Sequence, residues 1–202
     1  MKGSVILPNK KTVALNKEQY ELIIDTIRQG FIYQCKGKNV QFKPNNRMAS
    51  VLAVQANLGL RIGDILKLKF NDIIKDGNRY RLDIIEEKTG KNREFTVTNE
   101  IYNYLKMYCL ENNIKPTATI FPITERSLQK NLKILSEYLG IENISTHSFR
   151  KFYATSIYLD NGYNVALVRE LLQHSTLAIT QKYIGVSSKL VEEAIQNHSC
   201  LR

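Results

Sequence analysis

The chain has 202 residues, which is enough for one or two domains that bury a substantial core. Hydrophobic residues make up 43% of the chain and charged residues 24%, a balance that excludes an intrinsically disordered protein. The 29 Lys and Arg outnumber the 19 Asp and Glu, so the net charge is +10. This excess favours a polyanionic partner, either nucleic acid or an anionic membrane surface, although a basic protein without such a partner can have the same composition.

The N-terminal segment, residues 1–46, is predicted to contain one helix. Its parts are an arm or edge strand over 1–15, a helix over 16–35 and a basic loop over 36–46. Asn16 is a good N-cap, because its side-chain oxygen can accept a hydrogen bond from the first turn. The segment is too short for a core of its own, so we expect it to belong, or to be appended, to a larger domain over 47–202.

The larger domain is predicted to be mostly helical, with one small hairpin. Helical spacing occurs in 47–60, at the start of 61–74, and in 99–113, 125–140, 146–162, 164–173, 176–183 and 187–198. Two strand-like runs, 79–87 and 92–98, flank the turn KTGK. The fold class is therefore mainly α with a small antiparallel β-sheet, an α+β arrangement.

Cysteines and histidines give no sign of a metal site. Cys35, Cys109 and Cys200 are scattered, and none of the three histidines pairs with another at a metal-ligand spacing. We therefore expect a reduced, cytoplasmic setting without disulfides, metals or cofactors. No apolar run approaches the roughly 20 residues that a membrane span needs, so no membrane partner is expected.

Two short motifs contain residue types that suit an anion. His147 and Arg150 are three residues apart on a predicted helix and therefore share a face. One interpretation is an ordinary helix surface with two polar residues, and the other is an anion site. An Arg offers a planar fork to phosphate oxygens, and a nearby His can give or take a proton. Arg61 lies where the helix over 47–60 ends, and Asp64 could hold its guanidinium in a local ion pair.

Three further side chains are candidates on weaker grounds. Lys88 lies in the hairpin turn, where most lysines are solvated, but a turn lysine can also deliver a proton to a leaving oxygen. His174 precedes Tyr183 by nine residues in LLQHSTLAITQKYI. That pair either packs only, or uses the tyrosine hydroxyl chemically.

Taken in order, these residues resemble the catalytic series of the tyrosine recombinase, or phage integrase, family. The resemblance is carried by NLGLRIGDILKLKFNDI, by IIEEKTGKNREFTV and by the long stretch THSFRKFYATSIYLDNGYNVALVRELLQHSTLAITQKYI. It covers roughly residues 47–186. It implies the catalytic fold shared with type IB topoisomerases, and the implied catalytic residues are Arg61, Lys88, His147, Arg150, His174 and Tyr183.

The resemblance implies cleavage and rejoining of double-stranded DNA through a covalent 3′-phosphotyrosine, without metal or ATP. Tyr183 would attack the phosphate held by Arg61 and Arg150, His147 would act as base, and Lys88 would protonate the 5′ oxygen. His174 would bind a phosphate oxygen. The family also implies a homo-tetramer on DNA, and the chain can be a monomer when DNA is absent. It further implies a bacterial or phage origin and association with the nucleoid.

Two departures from the family and three rival functions remain at this point. Family members usually carry a helical DNA-binding domain before the catalytic one, so the chain is either a catalytic-domain fragment or a compact member. Asp64 stands where the family often has glutamate. The rivals are a topoisomerase-like enzyme that nicks and reseals, a non-catalytic DNA-binding module of the same fold, and a metal-dependent nuclease, which the lack of carboxylate clusters disfavours.

The apolar stripe of helix 187–198 is expected to dock onto a neighbouring subunit or onto its own chain.

Overall fold

The computed structural model describes residues 12–181, 183, 184 and 196. The chain forms two compact units, Met1–Tyr153 and Ala154–Arg202. The division falls after Tyr153. None of the helices that the structure describes is both long and apolar enough to span a bilayer.

The first helix, α1, runs over Lys17–Gln29 and begins where the sequence predicts. The Asn16 side chain accepts a hydrogen bond of 2.7 Å from the Gln19 N–H, and the Gln19 side chain accepts one of 3.1 Å from the Asn16 N–H. These two bonds form a capping box, which satisfies N–H groups that have no partner inside the helix. The helix ends at Gly30, whose φ of 71° is costly for any residue with a Cβ.

The predicted helix over 16–35 is wrong beyond Gln29, and the predicted basic loop is partly wrong. Strand β1, Phe31–Cys35, pairs antiparallel with strand β2, Lys38–Phe42. The apolar residues after Gly30 continue the helical spacing by coincidence, but the two-residue turn Lys36–Gly37, with φ of 51° and 74°, brings the strands together. The fold class is confirmed, with two small antiparallel sheets where one is expected.

Helix α2, Asn46–Leu58, is buried along most of its length, and helix α3, Ile62–Lys67, follows after a break at Gly59. Helix α1 packs on α2, so the N-terminal segment contributes to the same hydrophobic core. Ile23 and Ile27 of α1 and Met48 and Leu52 of α2 are all fully buried in that core. Burying such a side chain contributes roughly 1.5–3 kcal/mol relative to exposing it.

The second sheet has three strands in the order β3–β4–β5, with one more strand than predicted. The strands are β3, Ile73–Asp76, β4, Arg79–Ile85, and β5, Asn92–Val97. The predicted hairpin of β4 and β5 is confirmed, and its register pairs Ile85 with Asn92 across the turn. Strand β3 takes up the last two residues of the segment 61–74, where the sequence predicts only a short helix at the start, and continues to Asp76.

The remaining helices agree with the predicted segments within a few residues. They are α4, Asn99–Glu111, α5, Glu125–Leu139, α6, Thr146–Asp160, α7, Val165–Leu172, and α8, Leu177–Gln181. Helix α5 stops at Gly140, which has the left-handed conformation expected of a helix C-cap. In the second unit α7 packs on α8. The predicted helix 187–198 lies outside the described residues, apart from Gln196.

Candidate active site

Arg61 is positioned by the tight end of α2. Gly59 has a φ of 60°, and its N–H donates to the Gln55 carbonyl oxygen at 2.9 Å. The fully buried Gln55 side chain donates in turn to the carbonyl oxygen of Leu60 at 3.3 Å. With Leu60 and Ile62 in the core, Arg61 is held between them at the start of α3, and its side chain remains 20% exposed.

Arg61 pairs with Glu86 rather than with Asp64, and the expected local ion pair is therefore wrong. Glu86 is 1% exposed, accepts a hydrogen bond from Arg61, and forms an ion pair of 2.9 Å with the buried Arg93. The Asp64 carboxylate instead accepts a hydrogen bond of 2.9 Å from the main-chain N–H of Glu87. Its short side chain thus fixes the segment just after β4 next to α3 and does not hold the guanidinium.

Glu86 also organises the turn that carries Lys88. Its carboxylate accepts a hydrogen bond of 2.8 Å from Thr89, its main-chain oxygen accepts one of 2.8 Å from Gly90, and its N–H donates to the Lys91 oxygen at 2.9 Å. Lys88 itself is exposed. One buried carboxylate therefore anchors Arg61 and shapes the lysine-bearing turn. Sequence reasoning missed Glu86, because a glutamate beside a turn is usually solvated.

The pKa of Glu86 shows how strongly its neighbours stabilise the charge. Burial alone would raise this pKa. The hydrogen bonds from Arg93, Thr89 and Arg61 outweigh burial and hold the pKa below its ordinary value of 4.5. The carboxylate is therefore ionised throughout the neutral range, and one negative charge is shared by two guanidinium groups.

Arg150 joins the same region from α6. Its side chain is fully buried and donates a hydrogen bond of 2.7 Å from Nη1 to the Gly59 carbonyl oxygen. Gly59 cannot carry a Cβ here, since such an atom would lie 2.3 Å from the Tyr153 ring. A buried, hydrogen-bonded arginine near a helix start was not predictable. The bond links Arg150 to the turn that precedes Arg61.

His147 lies in an electropositive environment. Its N–H donates to the Ser145 hydroxyl at 3.2 Å at the start of α6, and its side chain is exposed. Although the residue as a whole is exposed, protein atoms around the imidazole desolvate it and lower the pKa of His147 below its ordinary value of 6.5, and nearby positive charges lower it further. In decreasing order of effect, those charges are Arg150, Lys151, Lys88 and Arg61. Both effects act in the same direction, so the imidazole is neutral at neutral pH.

His174 and Tyr183 lie together in the second unit. Their ring centroids are 4.7 Å apart, with 55° between the ring planes. Nδ1 of His174 is 3.1 Å from the Thr180 hydroxyl, and the Tyr183 N–H donates to the Thr180 carbonyl oxygen at 2.8 Å. Thr180, which sequence reasoning did not single out, therefore fixes both residues. Helix α8 ends at Gln181, so Tyr183 lies two residues beyond it, whereas the sequence predicts a helix that continues to residue 183.

The six predicted site residues thus form two groups. Arg61, Lys88, His147 and Arg150 belong to the first unit, where the three cations, together with Lys151, lower the pKa of the imidazole, and His174 and Tyr183 belong to the second. Among the described residues, no group of three or more His, Cys, Asp and Glu side chains could hold a metal ion.

Known proteins match this chain along most of its length. The sequence model of the phage integrase family matches residues 13–189. A probable integrase/recombinase of Bacillus subtilis, YoeC, is 30% identical over 78% of this chain and 87% of its own length. The tyrosine recombinase XerA of Pyrococcus furiosus is 28% identical over 71% of this chain and 51% of its own length.

Solved structures agree with the sequence matches. The XerH site-specific recombinase, in a post-cleavage complex with its palindromic difH substrate, aligns over 93% of this chain and 54% of its own, with a TM-score of 0.66 and 22% identity. The catalytic domain of bacteriophage HP1 integrase aligns over 92% of this chain and 95% of its own, with a TM-score of 0.62 and 17% identity. The chain therefore belongs to the phage integrase family and has the fold of the tyrosine recombinase catalytic domain.

Proposed function

We propose that this chain is a site-specific DNA recombinase or integrase that cleaves and rejoins DNA strands through a covalent 3′-phosphotyrosine. The observation that carries the proposal is that the positive charges of Arg150, Lys151, Lys88 and Arg61 all act to lower the pKa of His147. Such cations and a neutral base suit a phosphodiester, whose oxygens gain negative charge as a nucleophile adds. The XerH structures bound to difH substrates support DNA as the partner.

In this proposal Arg61 and Arg150 bind the nonbridging oxygens of the scissile phosphate. A guanidinium has five N–H donors. One donor of Arg61 binds Glu86, and one donor of Arg150 binds the Gly59 carbonyl oxygen. Arg61 is partly exposed and can receive a phosphate directly. Arg150 is fully buried, so its contact with the phosphate requires that the side chains covering it move when DNA binds.

Tyr183 is the nucleophile in this scheme and His147 its base. The phenolic oxygen attacks phosphorus, its proton passes to the neutral imidazole, and the bond from phosphorus to the 5′ oxygen breaks. Lys88 gives a proton to that departing oxygen. Rejoining runs the same steps in reverse with a new 5′-hydroxyl, so the bond energy is retained and neither ATP nor a cofactor is consumed.

His174 is the third group that binds the phosphate in this proposal, through a ring nitrogen. Its contact with Thr180 fixes the orientation of the imidazole, and its ring lies against Tyr183. A histidine held in this way can donate to a phosphate oxygen and restrict the tyrosine ring at the same time. In the structure the rings of His174 and Tyr183 pack against each other, and the proposal adds phosphate binding by His174 to that contact.

The proposal for assembly rests on the sequence. Strand exchange between two duplexes needs more than one active subunit, so we expect a tetramer on DNA. The chain spans about half the length of most curated relatives that it matches, such as XerA of Pyrococcus furiosus, at 51%. Deleting residues 187–202 should impair synapsis more than DNA binding, and unaltered strand exchange by the truncated protein would exclude docking by the predicted helix 187–198.

The function is tested with supercoiled plasmids that carry a site selected by the protein from random duplexes. We expect a protein–DNA adduct resistant to denaturation, recombinant products, and activity in EDTA. Relaxed plasmid without recombinants would favour the topoisomerase-like rival, and binding without any adduct would favour the non-catalytic module. Cleavage abolished by EDTA would indicate a metal-dependent nuclease.

A further inference from the structure

The hairpin of β1 and β2 is built as an exposed, anchored ribbon. Phe31 and Phe42 are buried at its base, where their rings stack with centroids 4.6 Å apart. Phe31 also stacks on Tyr138 of α5 at 4.1 Å. Every residue from Gln34 to Gln41 is exposed, so the base fixes a ribbon whose outer part lies in solvent.

The contacts at the base of the ribbon fix the direction in which the ribbon projects. A Cβ at Gly30 would lie 2.6 Å from the Phe42 carbonyl oxygen, so the chain can pass there only with glycine. Beyond β2, the Asn45 N–H donates to the Ile27 carbonyl oxygen at 2.9 Å, which ties the return of the chain to α1. A ribbon fixed in this way loses little entropy when it binds a partner.

The two faces of the ribbon differ in chemistry. Residues paired across antiparallel strands share a face, and the register pairs Ile32 with Gln41 and Gln34 with Asn39. One face therefore presents three carboxamides beside an isoleucine that is 64% exposed. The side chain of Gln34 donates to that of Asn39, which confirms that these two lie on the same face.

The hairpin and the residues just after it carry only positive charges. Lys36, Lys38 and Lys43 lie on or beside the hairpin, and the sequence has no Asp or Glu between Phe31 and Arg47. All three lysines are exposed, and none has an ion pair with a carboxylate in the described part of the chain. Such lysines fit the phosphates that border a groove of DNA.

We propose that this hairpin enters the major groove of duplex DNA and reads base edges with Gln34, Asn39 and Gln41. The major groove admits a two-stranded ribbon, and carboxamides pair with the donor and acceptor of adenine. Ile32 suits the methyl group of thymine on the same face. The inference rests on the proposed function. It adds which bases of the DNA, outside the cleavage centre, the chain recognises when it selects a site.

The first test is selection of bound sequences from a pool of random duplexes. The variant Gln34→Ala/Asn39→Ala/Gln41→Ala should lose preference at a short block of A·T-containing base pairs, by about tenfold for each lost contact, while affinity for the unselected pool stays unchanged. The contrasting variant Lys36→Gln/Lys38→Gln should bind every sequence more weakly and show a shallower salt dependence. An unchanged selected sequence for the carboxamide variant would overturn the inference.

The exposed Cys35 near the tip allows a second test that does not depend on a loss of binding. A photoactivatable group on Cys35 should crosslink to bases within that same block of the selected duplex. The buried Cys109 should not react, and Cys200→Ser removes the remaining thiol. Crosslinks between protein chains without crosslinks to DNA would show that the hairpin docks onto another subunit and would overturn the inference.

Failure of this inference and failure of the proposed function are separable. If the carboxamide variant still forms the Tyr183 adduct but selects the same sequence as the unmodified chain, only the role of the hairpin is wrong. If the unmodified chain neither binds duplex DNA nor forms an adduct, both are wrong.

Discussion

Arg150 donates a 2.7 Å hydrogen bond to the carbonyl oxygen of Gly59, two residues before Arg61. This bond ties α6, which carries His147, to the turn that positions Arg61. It can form because Gly59 adopts a left-handed conformation that ends α2 and turns its carbonyl toward α6. The relative placement of the two guanidinium groups therefore depends on one residue without a side chain.

Replacing Gly59 by alanine should destabilise the first unit and impair cleavage. The left-handed conformation costs about 1–2 kcal/mol for a residue with a Cβ, and the clash with Tyr153 adds about 1–3 kcal/mol of overpacking. Denaturant unfolding measures the loss of stability. The matched control is Gly140→Ala, which has the same φ range at a helix end but no atom within 4 Å of the new Cβ, and should show only the smaller conformational cost. Equal losses for both variants would contradict the clash.

Replacing Glu86 by glutamine should cost about 3 kcal/mol, because it leaves two guanidinium groups without their carboxylate in a buried site. The matched control is Glu94→Gln, whose exposed pair with Arg81 should contribute less than about 1 kcal/mol. Urea unfolding at neutral pH measures both. A neutral Glu86→Gln would show that the pair does not hold Arg61 in place.

The pH dependence of stability gives an independent check on Glu86. Because the folded-state pKa lies below 4.5, the carboxylate contributes stability above pH 4.5 and loses it as the pH falls through its folded-state pKa. Stability of the unmodified chain should therefore fall more steeply below pH 4.5 than that of Glu86→Gln. Parallel acid profiles for the two proteins would contradict this.

The pKa of His147 predicts how cleavage depends on pH. The neutral imidazole is the proposed base, and its lowered pKa places the acid limb of the cleavage rate below pH 6.5. Lys151→Gln removes a positive charge that acts on His147, so the acid limb should move to higher pH. Lys133→Gln, which removes an exposed lysine paired with Glu137, serves as the control. Single-turnover adduct formation measures the profile, and an unmoved acid limb in Lys151→Gln would exclude His147 as the titrating base.

Lys88→Met should slow cleavage of ordinary DNA about a hundredfold or more, because the departing 5′ oxygen loses its proton donor. A substrate with sulfur in place of that bridging oxygen needs no proton, so cleavage by Lys88→Met should recover on it. Lys91→Met, from the same turn, should be close to the unmodified chain on both substrates. A defect of the same size on the sulfur substrate would make Lys88 a binding residue and not an acid.

Local signals in the sequence predict much of the fold. Asn16 caps α1, Gly140 ends α5, and the turn KTGK joins β4 to β5, because each depends on neighbouring residues only. The hairpin of β1 and β2 was not predictable in the same way. Its strands depend on Phe31 stacking against Phe42 and against Tyr138 of α5, a residue more than a hundred positions away.

The candidate site was likewise predictable only in part. The residue types and their order predict Arg61 and Arg150, but not that Arg61 would pair with Glu86, which lies 25 residues further on. Glu86 is the partner because the hairpin of β4 and β5 places it in a buried position beside α3, and this depends on tertiary structure. Asp64 is closer in sequence and has the right charge, yet it is used to bind the Glu87 main chain.

The most direct test of the account is covalent capture by Tyr183. A selected duplex with a nick next to the cleavage position traps the adduct, because the released fragment diffuses away. The unmodified chain and Tyr163→Phe, an exposed tyrosine of the same unit, should form a protein–DNA adduct, and Tyr183→Phe should bind the duplex without forming one. An adduct of undiminished yield from Tyr183→Phe would contradict the proposed mechanism.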